Sequence, residues 1–266
     1  MREDDLLPIG KFAEYARLNR STLIYYDEEG IFSPKKRGKN GYRYYAPWQI
    51  STINLITYLQ EFGLPLKRNA EIMQNRTPEQ MIELLDAQES ELTKNIDALG
   101  HIRSVLREFL QLLKEGKTAD TEALAIVKKP ERKIMLGDKN EFKRNETFHD
   151  SFTQFCNNID TSGSRVYYPI GGLFESMDEF MRHPSRPDRF FALDPDGPDT
   201  MEGGEYLIGH TRGYYGQTND LPEKVKDYSE KQGLTFVGPV YNIFLWNELS
   251  VPEHDKYLLQ MSCRIG

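Results

Sequence analysis

Two stretches decide the fold of the N-terminal part of this chain: Ser21-Thr22-Leu23-Ile24-Tyr25-Tyr26-Asp27 and Gly41-Tyr42-Arg43-Tyr44-Tyr45. Residues 30–45 contain no acidic residue and five basic ones, Lys35, Lys36, Arg37, Lys39 and Arg43. Basic charge concentrated in a turn beside aromatic side chains is typical of a surface that contacts nucleic-acid phosphates. A solvated surface loop is the alternative for the basic run alone, and the helices beside it favour nucleic-acid binding.

Helix and turn signals around these stretches predict a winged helix-turn-helix. Pro8 opens a first helix, and Ser21 is a good N-cap for a short second helix over Leu23–Glu28. Ile31–Tyr45 is predicted to form a hairpin wing, because Gly and Asn-Gly turn formers lie at its centre. Two further helices follow, each starting at a proline. Such a helix and wing together contact a DNA groove and its backbone.

The overall charge hides this local excess. The chain of 266 residues carries a net charge of −7. Residues 1–76 hold 12 Lys and Arg against 9 Asp and Glu, a net of +3, which leaves −10 for the remainder. The two cysteines, Cys156 and Cys263, have no His or Cys at ligand spacing, so neither a metal site nor a disulfide is expected, nor any cofactor. No apolar run reaches the roughly 20 residues of a membrane span, and the composition predicts a cytoplasmic protein.

A long helix is predicted to follow the winged domain. Residues 79–114 contain no Pro and one Gly, and about 36 residues at a rise of 1.5 Å make a rod of roughly 50 Å. Leucine recurs every seven residues, with Ile102 and Phe109 at complementary positions; the repeat comprises Leu85, Leu92, Leu99, Leu106 and Leu113. This pattern predicts a dimerisation coiled coil over 77–117, and the alternative is a long helix that lies on its own domain.

Residues 118–266 are predicted to form an α+β domain. A strand over Ala125–Leu136, a helix over Glu141–Asn158 and a strand over Arg165–Phe174 make a first cycle. A second cycle repeats it, with further elements at Glu205–Arg212, Leu221–Gln232, Thr235–Leu245 and Tyr257–Ile265. The repeated order of elements suggests two copies of one α+β unit packed side by side. The fold class is therefore multidomain α and α+β, with domains at 1–76, 77–117 and 118–266.

The motifs resemble the MerR family of transcription activators. The N-terminal resemblance rests on Ile9-Gly10, Thr22-Leu23, Tyr25-Tyr26-Asp27, Gly41-Tyr42-Arg43-Tyr44-Tyr45, Ile56 and Phe62-Gly63-Leu64-Pro65-Leu66. The C-terminal part resembles the GyrI-like effector-binding domain of the multidrug-sensing (BmrR-like) branch, through Ser176-Met177-Asp178-Glu179, Gly204-Glu205-Tyr206, Pro239-Val240-Tyr241 and Met261–Ile265.

The resemblance implies a mechanism. Such a regulator sits on a promoter whose spacer is too long for RNA polymerase, and an effector makes it bend and untwist that DNA, which is indirect readout. The effector has to bind the active and inactive conformations with different affinity. The implied partners are double-stranded promoter DNA, RNA polymerase, a small aromatic or drug-like effector and a second copy bound antiparallel through the 79–114 helix, with no membrane.

Candidate DNA-binding residues follow from the helix and the wing. They are Arg17, Arg20, Thr22, Tyr25, Tyr26, Lys36, Tyr42 and Arg43. Phenol groups can reach base edges or phosphates, and an arginine can clamp a phosphate with two donors. One tyrosine of the pair 25–26 and one of the pair 44–45 are expected to be packed. The family usually has Arg at the position that Ile24 occupies here, and Arg17 and Arg20 are the nearest cations that could replace it.

Candidate ligand-binding residues come from the aromatic C-terminal domain. They are Tyr168, Tyr206, Tyr241, Asn242, Phe244, Trp246 and Gln260. A buried phenol needs a hydrogen-bond partner, and flat aromatic walls suit planar ligands. By the resemblance, Gln260 and Asn242 stand where cation-sensing relatives carry carboxylates. An amide cannot offset the cost of dehydrating a cation, so neutral or zwitterionic aromatic ligands are expected.

Three other functions are alternatives to this one. Some GyrI-like domains resemble hydrolases, and Glu175, Glu179, Glu205 and His210 could supply acids and a base, although the acid expected at 242 and 260 is missing and no enzyme activity is predicted. A metal sensor of the same family would need thiolates near the end of the long helix, and residues 70–125 contain no Cys. An architectural DNA-binding dimer without a ligand is the third.

Overall fold

The computed structural model describes residues 5–142, 148–159 and 166–266. The chain divides into two compact units, Met1–Asp97 and Ala98–Gly266, so the division falls inside the longest helix. The predicted fold class, a winged helix-turn-helix followed by a long helix and an α+β domain, is confirmed.

The first unit holds four helices and a small sheet. The helices are α1 (Ile9–Ala16), α2 (Arg20–Glu28), α3 (Gln49–Glu61) and α4 (Leu66–Asn75). The strands are β1 (Leu7–Pro8), β2 (Lys36–Arg37) and β3 (Arg43–Tyr45), in the order β1-β3-β2. Strands β2 and β3 are the two sides of the wing and pair antiparallel, with Lys36 opposite Tyr44. The wing prediction is therefore confirmed, and β1 adds a third strand that no alternation signalled.

The predicted N-cap of α2 is wrong. The helix begins at Arg20 and its N-cap residue is Asn19, whose side chain makes no capping hydrogen bond. Ser21 lies inside the first turn. Leu23, Tyr26 and Asp27 are the buried residues of α2, and packing of this face against the core stabilises a helix that lacks a side-chain cap.

Helix α5 spans Pro78–Gly116, slightly longer than predicted. Its apolar side chains lie on two faces of the helix, one buried and one exposed. Val105 and Leu112 are buried against the second unit, and Phe109 packs beside Val105, so Phe109 belongs to the domain core and not to the predicted seam. The other apolar face is exposed on the single chain and comprises Ile82, Leu85, Leu92, Ile96, Leu99, Ile102, Leu106 and Leu110.

The second unit is built on an eight-stranded antiparallel sheet. Its strands are β4 (Ala125–Lys129), β5 (Arg132–Lys139), β6 (Ile170–Phe174), β7 (Arg189–Ala192), β8 (Asp199–Met201), β9 (Gly204–Arg212), β10 (Phe236–Trp246) and β11 (Leu258–Ile265). The helices are α6 (Phe148–Ile159), α7 (Met177–Arg182) and α8 (Leu221–Gln232). The sheet order is β4-β9-β11-β10-β6-β7-β5-β8.

The sheet contains two groups of three strands with the same internal order. Strands β5, β6 and β7 lie in the order β5-β7-β6, and strands β9, β10 and β11 lie in the order β9-β11-β10. In each group, the strand that comes third in the chain lies between the other two. The two groups of strands meet where β10 pairs antiparallel with β6, with Asn242 opposite Gly172.

Several boundaries within the sheet differ from the prediction. The segment predicted as one strand over Ala125–Leu136 is two strands, because Pro130 cannot donate to the ladder and the chain turns there. Helix α7 and strands β7 and β8 were not predicted. Parts of the predicted helix over Glu141–Asn158, at 143–147, and the start of the predicted strand, Arg165, lie outside the described residues. No helix in the described ranges has both the length and the hydropathy that crossing a membrane requires.

Candidate DNA-binding surface and ligand pockets

A buried carboxylate joins helix α2 to the wing. The side chain of Asp27 has no exposed surface. Arg37 Nη2 donates to both of its oxygens, at 2.8 and 2.7 Å, and Arg43 Nε donates to Oδ2 at 2.6 Å. A buried charge needs such partners, since losing its hydration is costly. The hydrogen bond to Asp27 is also the main reason why the pKa of Arg43 is raised. Asp27 therefore fixes both strands of the wing to α2.

The tyrosine pairs divide as predicted. Tyr26 is buried and its hydroxyl donates to Gln60 Oε1 at 2.9 Å, whereas Tyr25 next to it is 49% exposed. Tyr45 is fully buried, its ring centroid lies 4.5 Å from that of Phe12, and burial raises its pKa to about 12. Tyr42 at the wing is 42% exposed. Tyr44 is half-buried, so Tyr25 and Tyr42 are the exposed tyrosines of α2 and the wing.

The candidate cations lie on the surface around α2. Arg17, Arg20 and Lys36 are exposed and Thr22 is half-buried. Arg20 lies over α1, because a Cβ on Gly10 would come within 2.3 Å of its Nη2. Ile24 packs against the core of the first unit. Ile24 thus contributes to the core and not to a phosphate contact. Arg17 and Arg20 are the arginines nearest to Tyr25 in sequence.

The turn of the wing is held by its own backbone and by the side chain of Asn40. Gly38 donates to the Tyr42 carbonyl at 2.8 Å, and Asn40 Oδ1 accepts from the Tyr42 amide at 3.2 Å. Gly41 adopts a φ of +76°, which a side chain would strain. The turn presents Tyr42 and Lys39 at the tip of a basic wing.

The second unit contains a pocket between α5 and the sheet, here called the helix-side pocket. It encloses about 900 Å³ including its open mouth. Apolar and aromatic walls come from Leu112, Phe191, Leu193, Met201, Tyr241 and Ile243, and the polar lining comes from Glu108, Gln111, Glu115, Lys129, Glu131, Arg132, Gln260 and Ser262.

One hydrogen-bonded chain runs through the polar side of this pocket. Lys129 Nζ donates to Gln260 Oε1 at 2.8 Å, and Gln260 Nε2 lies 3.2 Å from His210 Nε2. His210 Nδ1 lies 3.2 Å from the Asp120 carbonyl, so Nδ1 carries the proton and Nε2 accepts from the amide. Burial lowers the pKa of His210, which agrees with this neutral form. The chain fixes the amide of Gln260 with its oxygen toward Lys129.

A second pocket lies on the opposite face of the sheet and is here called the aromatic pocket. It encloses about 470 Å³ including its mouth, and its rings are Phe148, Phe152, Phe174, Phe190, Tyr215 and Phe244. Asn242 lines it and is buried, and among the described residues its Oδ1 has no hydrogen-bond partner. The hydroxyl of Tyr215 donates to Glu248 at 2.7 Å.

The structure distributes the seven candidate ligand residues over both faces. Tyr241 and Gln260 line the helix-side pocket, and the ring of Tyr206 lies 5.8 Å from Lys129 Nζ beside it. Asn242 and Phe244 line the aromatic pocket, because alternate residues of β10 point to opposite faces. The seven residues do not form one site.

The remaining two candidates pack against α5. Trp246 Nε1 donates to the Leu113 carbonyl at 3.3 Å, and a bulge in β10 precedes it. Tyr168 is buried and meets His101 edge to face at 5.2 Å. The sequence did not predict Lys129 as a pocket residue, because two lysines in succession at the end of a strand are typical of an exposed surface. The position of its strand in the sheet turns Lys129 toward Gln260.

Residues 7–76 match the family described as MerR HTH family regulatory protein. The N-terminal domain is a MerR-type DNA-binding domain. The match covers α1 to α4 and the wing, and therefore contains every candidate DNA-binding residue. The MerR-type domain carries the contact between Asp27 and the wing arginines described above.

Relatives extend over nearly the whole chain. The multidrug-efflux transporter 2 regulator of Bacillus subtilis is 24% identical over 95% of this chain and 95% of its own. The multidrug-efflux transporter 1 regulator of the same organism is 23% identical over 97% of each. Among solved structures, the cryo-EM structure of the EcmrR–DNA complex is 15% identical, covers 97% of this chain and 99% of that chain, and has a TM-score of 0.39.

Proposed function

We propose that this protein is a ligand-responsive transcription regulator. It binds promoter DNA as a homodimer through its MerR-type domains. A small aromatic or drug-like effector, bound by the C-terminal domain, makes the dimer bend and untwist a promoter with an overlong spacer, so that RNA polymerase can use it. The observation that carries the proposal is the MerR-type domain in which a buried Asp27 holds a basic wing against α2.

Charge and exposure support the DNA-binding part. Tyr25 and Tyr42 are exposed, and Arg17, Arg20 and Lys36 lie on the surface near them in sequence. We assign Tyr25 and Arg20 to contacts on one side of the DNA backbone and Tyr42 and Lys36 to contacts made by the wing. Arg43 has its Nε on Asp27, so only its terminal nitrogens are left for a phosphate, and Tyr26 acts by packing.

The exposed face of α5 supports the dimer. Leu85, Leu92, Leu99 and Leu106 are spaced by seven residues and are 41 to 65% exposed on the single chain. A stripe of apolar side chains at this spacing is the seam of a coiled coil, which requires a partner helix. A second copy of the same helix supplies an identical stripe, and a dimer would present two wings to two half-sites.

Helix α5 also offers a route from ligand to DNA. The helix begins in the first unit and ends in the second. Leu112 and Glu115, near its end, line the helix-side pocket. A ligand in this pocket would contact the same helix that carries the leucine repeat. Its differential affinity for two positions of α5 would set the balance between the inactive and active dimer.

Footprinting on the promoter of the protein's own gene, combined with transcription in vitro, tests the proposal. Protection of a near-palindrome inside an overlong spacer, with transcription that rises when an effector is added, is the expected result. Protein that leaves the promoter unprotected at low salt, where phosphate contacts are strongest, would remove the proposal.

The contacts of the candidate catalytic residues favour regulation over hydrolysis. Glu175 pairs with Lys139, Glu179 pairs with Arg182, and both ring nitrogens of His210 are engaged. A turnover assay with reactive electrophiles tests this second candidate, since a sensor returns its ligand unchanged. An architectural dimer without a ligand would bind DNA and give no heat with any compound in titration calorimetry.

A further inference from the structure

The helix-side pocket contains an ammonium group whose hydrogen-bond acceptor is a neutral amide, not a carboxylate. Lys129 Nζ can donate three hydrogen bonds, and Gln260 Oε1 accepts one of them. Of the described residues, none places a carboxylate oxygen within 4 Å of this nitrogen, and the Tyr206 ring is 5.8 Å away. Burial lowers the pKa of Lys129 to about 8, so the surrounding groups do not repay the cost of its dehydration.

The amide at position 260 is what leaves this charge uncompensated. A glutamate there would form an ion pair with Lys129 across the same 2.8 Å. The hydrogen bond of Gln260 to His210 holds the amide in its present orientation, with the nitrogen away from Lys129. The pocket therefore presents a positive charge on its sheet side, fixed in direction by the chain Lys129, Gln260, His210 and Asp120.

The acidic residues of the pocket lie on its other walls, and of these Glu115 acts on Lys129 through space and raises its pKa, by less than burial lowers it. Glu108, on α5, forms an ion pair with Arg132, and Glu115 accepts from Gln111 Nε2 at 2.9 Å. Glu131 is exposed in the turn between β4 and β5. Between them and Lys129 lie the apolar walls made by Leu112, Tyr241 and Ile243 among others, which can enclose a planar ring system.

We propose that the helix-side pocket takes a planar aromatic ligand that carries an anionic group, a carboxylate or a sulfonate, and that this group binds the ammonium of Lys129. The ring system lies against Tyr241 and Leu112, and the anion accepts the two N–H groups that Gln260 leaves open. This inference rests on the proposed function and specifies the charge of the effector. A charge-assisted pair in a partly dehydrated site contributes more than the same pair in water.

Titration of three naphthalene derivatives against the full-length protein tests the proposal. Naphthoate, naphthamide and trimethyl(naphthyl)ammonium share one ring system and differ in charge. Naphthoate is expected to bind most tightly. Lys129→Met, which keeps the length of the side chain, should weaken naphthoate binding about tenfold or more and change naphthamide binding little.

Two further variants sharpen the test. Lys128→Met removes the neighbouring exposed lysine of the same strand and should leave all three affinities unchanged. Gln260→Glu supplies a carboxylate to Lys129, so it should weaken naphthoate binding and shift the preference toward the ammonium compound. Circular dichroism of each variant separates loss of binding from loss of folding.

The outcomes separate the two proposals. If the amide or the ammonium compound binds wild-type protein as tightly as naphthoate, or if naphthoate binds Lys129→Met unchanged, the anionic ligand is overturned while ligand-gated regulation stands. If no compound of any charge binds and none alters transcription from the protected promoter, ligand gating itself fails and the inference falls with it.

Discussion

Arg43 of the wing donates a hydrogen bond of 2.6 Å to Asp27 of helix α2, whose carboxylate is wholly buried. A wing attached in this way moves with α2, and so do Tyr42 and the basic residues around it. The position of the wing relative to the DNA is then set by a side chain that need not touch DNA.

Asp27→Asn should weaken both the fold of the first unit and DNA binding. The amide keeps the size of the side chain and removes the charge that holds Arg37 and Arg43, which leaves both guanidinium groups without their counter-charge. A loss of about 3 kcal/mol in the free energy of unfolding is expected from breaking a buried pair. Chemical denaturation and a gel-shift titration measure the two effects.

Glu28→Gln is the matched control for this variant. Glu28 is exposed and its carboxylate lies 3.9 Å from Arg43 Nη2, so it contributes little. Equal losses in Asp27→Asn and Glu28→Gln would show that burial of the carboxylate does not matter.

Tyr25 and Tyr26 should respond in opposite ways. Tyr25→Phe removes an exposed hydroxyl and should lower DNA affinity with no change in stability, since the side chain is half exposed. Tyr26→Phe removes the hydrogen bond to Gln60 and should cost about 1 kcal/mol of stability with little effect on DNA affinity at low temperature. Thermal unfolding and fluorescence anisotropy with promoter DNA measure both quantities; the reverse pattern would exchange the roles of the two tyrosines.

Leu92→Glu and Leu99→Glu should convert the proposed dimer to a monomer. Each places a charge in the apolar face of α5, and the two copies of the seam would bury it. Sedimentation equilibrium should give half the wild-type mass, and DNA affinity should fall because one half-site is lost. Lys94→Glu, about 160° around the helix from Leu92, is the control and should remain dimeric. A Leu92→Glu dimer of unchanged affinity would place the interface elsewhere.

Lys129→Met should make the unliganded second unit more stable at neutral pH. The pKa of Lys129 falls from its ordinary value of 10.5 to about 8 in the folded protein, through burial. Below pH 8 both states are protonated and the folded state bears the full cost, so the variant gains about 1–3 kcal/mol.

The sign of the pH dependence follows from the same values. Between about pH 8 and 10.5 the unfolded chain binds the extra proton, so wild-type stability should rise with pH relative to Lys129→Met, and the difference should vanish near the upper limit. The groups that face Lys129 are present in both proteins; they are Glu108, Glu115, Glu131, Arg132, Tyr206, His210 and Tyr241. Burial and the charge of Lys129 lower the pKa of His210, so its titration lies below this pH window. Urea denaturation of both proteins between pH 7 and 10 checks this, and a constant difference would contradict it.

The sequence by itself determined the parts whose signals are local. Turn formers between short strands predict the wing, and a long stretch without proline predicts α5. The alternation of strand and helix patterns predicts the α+β domain that follows. The MerR-type domain was recognised from residues close together in the chain.

Only the tertiary structure decided which of these residues meet. Asp27 and Arg43 are 16 residues apart, Lys129 and Gln260 are 131 apart, and nothing in the local pattern joins either pair. Alternation along β10 and β11 sends Tyr241 and Gln260 to one face of the sheet and Asn242 and Phe244 to the other, so one aromatic cluster in the sequence became two pockets. The charge of the helix-side pocket is a property of strand pairing, because pairing turned a lysine of an edge strand toward an amide on the last strand.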